Sequence, residues 1–146
     1  METNIAPGLR FAILDHEFKM RLAERANKMD LTVSQLRVLG ELSRLESEGV
    51  EEINQKDLEN SLMVTHPTMT GIIKRLEKKK AVICTPSKLD RRYKKICCAP
   101  EYLHIHEELR EMDWEIFREL CKGIPQEQVE LFLALSEKML SNIESL

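Results

Sequence analysis

The chain has 146 residues, of which 42% are hydrophobic, 32% charged and 5% aromatic, with a formal net charge of −3. That length suits one domain with a core large enough to need no disulfide or metal staple. The apolar share excludes wholesale disorder, and the scarcity of aromatics beside so many charges favours helices over a β-sandwich.

In chain order, the first pattern runs from Pro7 to about Met29. Phe11, Leu14, Phe18, Leu22 and Ala26 recur three and four residues apart, and Ile13 and Met20 widen the stripe. This predicts a long amphipathic helix with Pro7 at its start. Thr32-Val33-Ser34-Gln35 then has the spacing of a capping box, followed by Leu36, Leu39 and Leu42 on one helical face. Gly49 supplies the permissive backbone for a stop. Asn54 is placed to cap a short third helix, with Asp57 in its first turn and Leu58 facing inward. After a turn near Leu62-Met63, Thr65 or His66 caps a fourth helix. Pro67 is tolerated there because first-turn amides lack an intrahelical partner. Met69, Ile72, Ile73 and Leu76 make its buried face.

The pattern then changes. Val82 to Thr85 and Tyr93 to Cys97 are β-prone stretches around Pro86 to Arg92, which predicts a hairpin with a longer loop. Helix returns from Pro100 to about Cys121, with Leu103, Leu109, Met112, Ile116 and Leu120 apolar, and Gly123 ends it. Pro125 opens a last helix whose stripe is Val129, Phe132, Leu133, Met139, Leu140 and Ile143. The expected fold is mainly α with a small β-wing. A winged helix-turn-helix lobe at residues 31–99 is flanked by dimerisation helices at 1–30 and 100–146, all in one compact chain.

Charge is distributed unevenly. Between Ile53 and Ala99 there are eleven Lys or Arg against four Asp or Glu, a net +7 that leaves −10 on the rest. Such asymmetry suggests a local anionic partner. In a helix-turn-helix, the second helix enters the major groove of double-stranded DNA and offers its first side chains to base edges. Here those are Thr65, His66, Pro67 and Thr68, with Thr68, Gly71 and Arg75 on the face opposite the apolar one. Gly71 costs about 1 kcal/mol inside a helix, so close approach to DNA or to a neighbouring helix is a reason to keep it. Lys74, Arg75, Lys78, Lys79 and Lys80 supply charge for phosphates. The stretch SKLDRRYKK, Ser87 to Lys95, puts five cations and one acid at the hairpin tip. Arg91 and Arg92 suit a narrow minor groove, Lys88, Lys94 and Lys95 suit phosphates, and Asp90 is expected to pair with one arginine and hold the tip.

Three stretches resemble the MarR family of winged-helix transcription regulators: LTVSQLRVLGEL at Leu31 to Leu42, INQKDLENSLMVTHPTMTGIIKRLEKKKAVI at Ile53 to Ile83, and SKLDRRYKK. The flanking helices match in order and length. The resemblance implies a triangular homodimer in which the first helix and the last two interlock between chains. It also implies a pseudo-palindromic operator, usually bound as a repressor and released by a small ligand or by oxidation. By position, His66, Pro67 and Thr68 match the start of the recognition helix, and Asp90, Arg91 and Arg92 match the wing-tip motif. Two positions depart from the pattern. Lys80 stands where the family often has glycine, so the helix is expected to end differently there. Ser87 stands where the family often has an acid, which makes the wing more positive.

Dimerisation also follows from the apolar stripes of the terminal helices. Phe11, Leu14 and Phe18 can pack with Phe132, Leu140 and Ile143 of a partner, the alternative being a helical pair within one chain. A two-fold dimer would set its recognition helices about 34–36 Å apart.

Other chemistries have little support. His104 and His106 are two apart, Cys97 and Cys98 are adjacent, and no spacing resembles a zinc site, so no metal or cofactor is expected. Catalysis has no nucleophile motif, phosphate loop or forced acid pair, and the chain is expected not to be an enzyme. Cys84 and Cys97 on facing strands, with Lys94 and Lys95 near, leave thiol-based redox sensing as an alternative to buried structural thiols. A winged-helix protein-interaction module without DNA binding is the other alternative. A pocket for a small apolar or aromatic effector could be lined by His16, Phe18, Arg37, Tyr102 and Trp114. Met1 to Asn4 lacks a signal-peptide pattern and the longest apolar run, Leu131 to Leu135, is too short for a bilayer, so a cytoplasmic protein without membrane contact is expected.

Overall fold

The computed structural model describes residues 4–144. Met1 to Thr3, on which the reading of the N-terminus leans, and the last two residues of the C-terminal segment lie outside the described residues. Among the described residues the order is α1 (Pro7–Lys28), α2 (Val33–Ser47), α3 (Gln55–Leu62), α4 (His66–Lys78), β1 (Val82–Pro86), β2 (Lys94–Cys98), α5 (Ile105–Leu120) and α6 (Gln126–Glu144). No described helix is long and apolar enough to cross a membrane.

Local chemistry sets most boundaries. The Gln35 amide donates to Thr32 Oγ1 at 3.1 Å, and the Thr32 amide donates to Gln35 Oε1 at 3.2 Å, closing the expected capping box of α2. Asn54 and Asp57 exchange the same pair of bonds, both 2.9 Å, at the start of α3. One start differs from expectation. Pro100 opens a 3-10 turn, Pro100–Tyr102, and α5 begins only at Ile105. The Leu103 amide reaches back three residues to Pro100 O, and His104, at φ −111, breaks the helical path.

Three helices stop on a left-handed residue that is not glycine: Asp30, Met63 and Lys80, with φ of 57, 54 and 60. Each time the next amide closes back onto the last turn: Leu31 to Ala26 O, Val64 to Glu59 O and Ala81 to Leu76 O. This is the Schellman pattern, and it corrects the expectation that α4 would end differently for want of glycine. Lys80 adopts the left-handed conformation at a cost of about 1–2 kcal/mol. Two carbonyl bonds, from Lys80 to Glu77 and Ala81 to Leu76, and full burial of Ala81 against the core offset it.

The core gathers around α2. Leu36, Leu39 and Leu42 are fully buried and meet Leu22 and Ala26 of α1, Leu58 of α3, Met69 and Leu76 of α4, Ile96 of β2 and Ile116 of α5. α5 crosses so close that a Cβ at Gly40 would sit 2.7 Å from Leu109 Cδ2. The ends of the chain are packed differently. α1 buries only Leu22 and Ala26. α6 buries no described side chain, and Leu131, Phe132, Leu135, Met139, Leu140 and Ile143 are all exposed.

The two strands pair antiparallel in the register Val82 to Cys98, Ile83 to Cys97, Cys84 to Ile96, Thr85 to Lys95 and Pro86 to Lys94. The second strand therefore sits one residue later than its β-prone stretch suggests. Tyr93 is left to the loop, where its carbonyl accepts from the Ser87 amide at 3.1 Å.

Candidate nucleic-acid interface

α4 lies across the lobe with Met69, Ile72, Ile73 and Leu76 buried and Thr68, Lys74, Arg75 and Lys78 exposed. A Cβ at Gly71 would meet only the Arg75 guanidinium, at 3.4 Å, so no neighbouring helix explains this glycine. It lies in an open cavity of about 480 Å³ with Thr32, Ser34, Pro67, Thr68 and Arg75. Thr65 takes the capping position, but its hydroxyl donates to Thr68 Oγ1 at 3.0 Å and caps no amide.

His66 is held from behind. Its Nδ1 lies 2.9 and 3.1 Å from the two Glu59 oxygens, and 3.1 Å from Gln55 Nε2. A carboxylate only accepts, so the ring proton belongs on Nδ1, and the Gln55 amide donates instead to Thr70 Oγ1 at 2.8 Å. That leaves Nε2 on the outer edge of a side chain that is 75% exposed. Gln55 and Glu59 lie on α3 and His66 on α4, so spacing along one helix makes neither partner legible in the sequence. Lys79, expected to supply charge for phosphates, has its Nζ on Asp30 O and Gln35 Oε1, tying the end of α4 to the turn before α2.

At the wing tip, Asp90 pairs with Arg92: Nε donates to Oδ1 at 3.1 Å and Nη2 to Oδ2 at 2.7 Å. Oδ1 also accepts from the Arg92 amide at 3.0 Å. The guanidinium holds the Asp90 carboxyl below its ordinary pKa. Arg92 also stands 5.9 Å over the Tyr93 ring. Arg91 has no partner among the described residues, and Lys88 and Lys94 are exposed. His66, Arg92 and Lys94 line one cavity of about 500 Å³ between α3, α4 and the wing.

The other expected sites fare differently. Phe11, Leu14, Phe18 and Phe132 line one apolar groove of about 450 Å³ with Phe117 and Leu120, where Phe117 and Phe132 stack at 6.0 Å. Leu140 and Ile143 lie further along α6, 58% and 67% exposed. The five effector-pocket residues do not form one pocket within the chain. Arg37 lines a cavity of about 380 Å³ with Glu41, Leu62, His106, Leu109 and Asp113, while Phe18 belongs to the apolar groove. Trp114 is exposed and meets Phe117 edge-on, His16 is exposed, and Tyr102 packs on the core.

The thiols run against redox sensing. Strand register turns Cys84 and Cys97 to opposite faces of the hairpin. Burial pushes the Cys84 thiol up to about 11 and Cys98 to about 12, and raises Cys97, outweighing the cations of Lys94 and Lys95. At pH 7.5 these three are expected to react with iodoacetamide far more slowly than in denatured protein. Labelling of Cys84 should climb as pH rises towards about 11, where its thiolate forms. Mass spectrometry of quenched time points checks this, and fast labelling at neutral pH would contradict it. Among the described residues, no three His, Cys, Asp or Glu side chains are grouped to hold a metal.

A helix pair whose second helix bares a polar face beside an arginine-tipped hairpin defines a winged helix-turn-helix protein. Residues 29–92 match the model of the MarR family. The whole chain resembles Staphylococcus aureus MepR bound to DNA, with a TM-score of 0.77 and 25% identity over 95% of this chain and 99% of that one. It is similar to MepR described as a transcription regulator of the multidrug efflux pump MepA, at 0.75 and 24% over the same shares. The reduced form of MarR from E. coli matches at 0.80 and 22%, over 93% and 97%. No curated protein matches the sequence. Residues 29–92 are thus similar to the MarR family, and the chain as a whole has the winged-helix fold of these structures.

Proposed function

We propose that this chain is a sequence-specific regulator that binds a pseudo-palindromic operator in double-stranded DNA as a homodimer and represses transcription until a small effector releases it. The observation that carries the reading is the joint exposure of the outer face of α4 and the cationic wing, in a fold that overlays on a DNA-bound relative. In this reading, Thr65, His66, Pro67 and Thr68 meet base edges in the major groove, and Lys74, Arg75 and Lys78 meet phosphates. Gly71 lets the helix backbone approach the DNA closely. Lys88, Arg91, Arg92 and Lys94 follow the adjacent minor groove, with Asp90 shaping the tip.

The dimer rests on α1, α5 and α6. A helix of 19 residues with no buried described side chain is not a stable surface element by itself, and an exposed apolar stripe of this length marks an interface. Two copies placing α6 and the first half of α1 against each other would cover Phe11, Leu14, Phe132, Leu140 and Ile143. Effector response is assigned to the seam between α2 and α5, where the Arg37 cavity separates the DNA lobe from the terminal helices. A small molecule there would bias the angle between lobe and dimer core. A protein-interaction module has no use for an arginine wing, and raised thiol pKa values disfavour oxidation as the trigger.

Selection of bound sequences from random duplex DNA tests the whole reading. A palindromic motif should emerge, and affinity for it should fall steeply with salt, by a slope of about −0.9 for each phosphate neutralised. No enrichment, together with no binding in dilute buffer, would refute the proposal.

A further inference from the structure

The wing tip is fastened to the rest of the lobe by a residue far from it in sequence. Glu52 lies in the segment between α2 and α3. The Ser87 hydroxyl donates to Glu52 Oε2 at 2.5 Å, and the Lys88 amide donates to Glu52 Oε1 at 3.0 Å. With its proton committed to Glu52, Ser87 Oγ accepts from the amides of Leu89 and Asp90, both at 3.1 Å. Ser87 is only 8% exposed, so this is a built junction and not a solvated turn. The order passes on through the Tyr93 amide to Asp90 O and through Asp90 to Arg92. One carboxylate therefore holds the Lys88 amide directly and those of Leu89 and Asp90 through a hydroxyl. The Ser87 hydroxyl is the largest cause that keeps the Glu52 carboxyl below its ordinary pKa.

Two physical features make this anchor matter. The tip carries five cations that repel one another, and a loop of that kind samples many shapes unless its amides are committed. A hydroxyl that donates to a carboxylate is also polarised into a better acceptor, so the Glu52 and Ser87 bonds reinforce each other. A negative charge beside a phosphate-binding wing is unfavourable in itself. A positional role gives a reason to keep it.

We propose that Glu52 is a positioning residue for DNA recognition: acting through Ser87 and the Lys88 amide, it fixes the wing conformation in which Asp90 presents Arg92. The functional consequence rests on the DNA-binding reading above. The sign of the effect separates this role from electrostatics alone. Removing a carboxylate near phosphate would tighten binding if only charge mattered. Positioning demands that binding weaken.

The test compares wild type, Glu52→Gln, Ser87→Asp and the double variant Glu52→Ala/Ser87→Asp on the selected duplex. Glu52→Gln is expected to lose about tenfold in affinity while its circular dichroism and cooperative melting are retained. Its Lys88, Leu89 and Asp90 amides should exchange faster with deuterium. Ser87→Asp alone sets two carboxylates together and weakens binding. The double variant supplies an acceptor from the wing itself and recovers it. Equal or tighter binding by Glu52→Gln, or unchanged exchange at the three amides, overturns the proposal. If wild type binds no duplex at all, the DNA reading itself fails. Wild-type binding with an indifferent Glu52→Gln sinks only the role of Glu52.

Discussion

Replacing both Arg91 and Arg92 by alanine is expected to weaken binding to the selected operator by about 100- to 1,000-fold. In the proposed dimer each arginine is present twice, so the double substitution would remove four cationic groups from the interface, each worth several-fold in affinity. The salt dependence should flatten as well, by up to about 0.9 in slope for each phosphate no longer neutralised. The two side chains are not equivalent. Arg91 is unpaired among the described residues and contributes a charge. Arg92 is locked to Asp90 through two bonds and stacked by Tyr93, so it also contributes shape. Arg92→Lys keeps the charge but loses the fork that matches a carboxylate, and should behave more like Arg92→Ala than a charge argument suggests. Fluorescence anisotropy across a salt series measures both effects. Full affinity in the double variant would show that the wing does not touch DNA.

Leu140→Glu is expected to convert the proposed dimer to a monomer at micromolar concentration. Leu140 is 58% exposed on a helix that buries no described side chain, so the folded lobe does not depend on it. In a dimer the same position would lie under the partner, where an unpaired carboxylate costs several kcal/mol. Operator affinity should fall by about 10²–10⁴ with the loss of two-site engagement. The circular dichroism of the lobe and its core melting should persist. Sedimentation velocity at several concentrations decides the matter. A wild-type protein that sediments as a monomer, or a variant that remains dimeric, would exclude α6 as the interface.

Much of this architecture is legible in local patterns. The capping boxes at Thr32 and Asn54, the buried face of α4 and the pairing of Asp90 with an arginine all join residues within a few positions of each other. Helical geometry or a tight turn brings such residues together whatever surrounds them. The exposed stripe of α6 belongs to the same class, since a period of three and four survives without a partner. Lys80 shows the limit. A lysine at a stop predicts strain, and only the burial of Ala81 and Leu76 shows what offsets it.

Composition, periodicity and spacing thus determined the order of the main elements, the buried faces of α2, α3 and α4 and the cationic character of the middle segment. Tertiary structure decided which partner each polar side chain takes: Glu59 for His66, Asp30 and Gln35 for Lys79, Glu52 for Ser87, and Leu109 against Gly40. It also decided which cavities Arg37 and Phe18 line and that burial would outweigh nearby lysines at the thiols. The reason is geometric. Spacing along one helix or turn is set by the backbone, whereas packing between elements depends on how whole helices cross, and that depends on every core side chain at once.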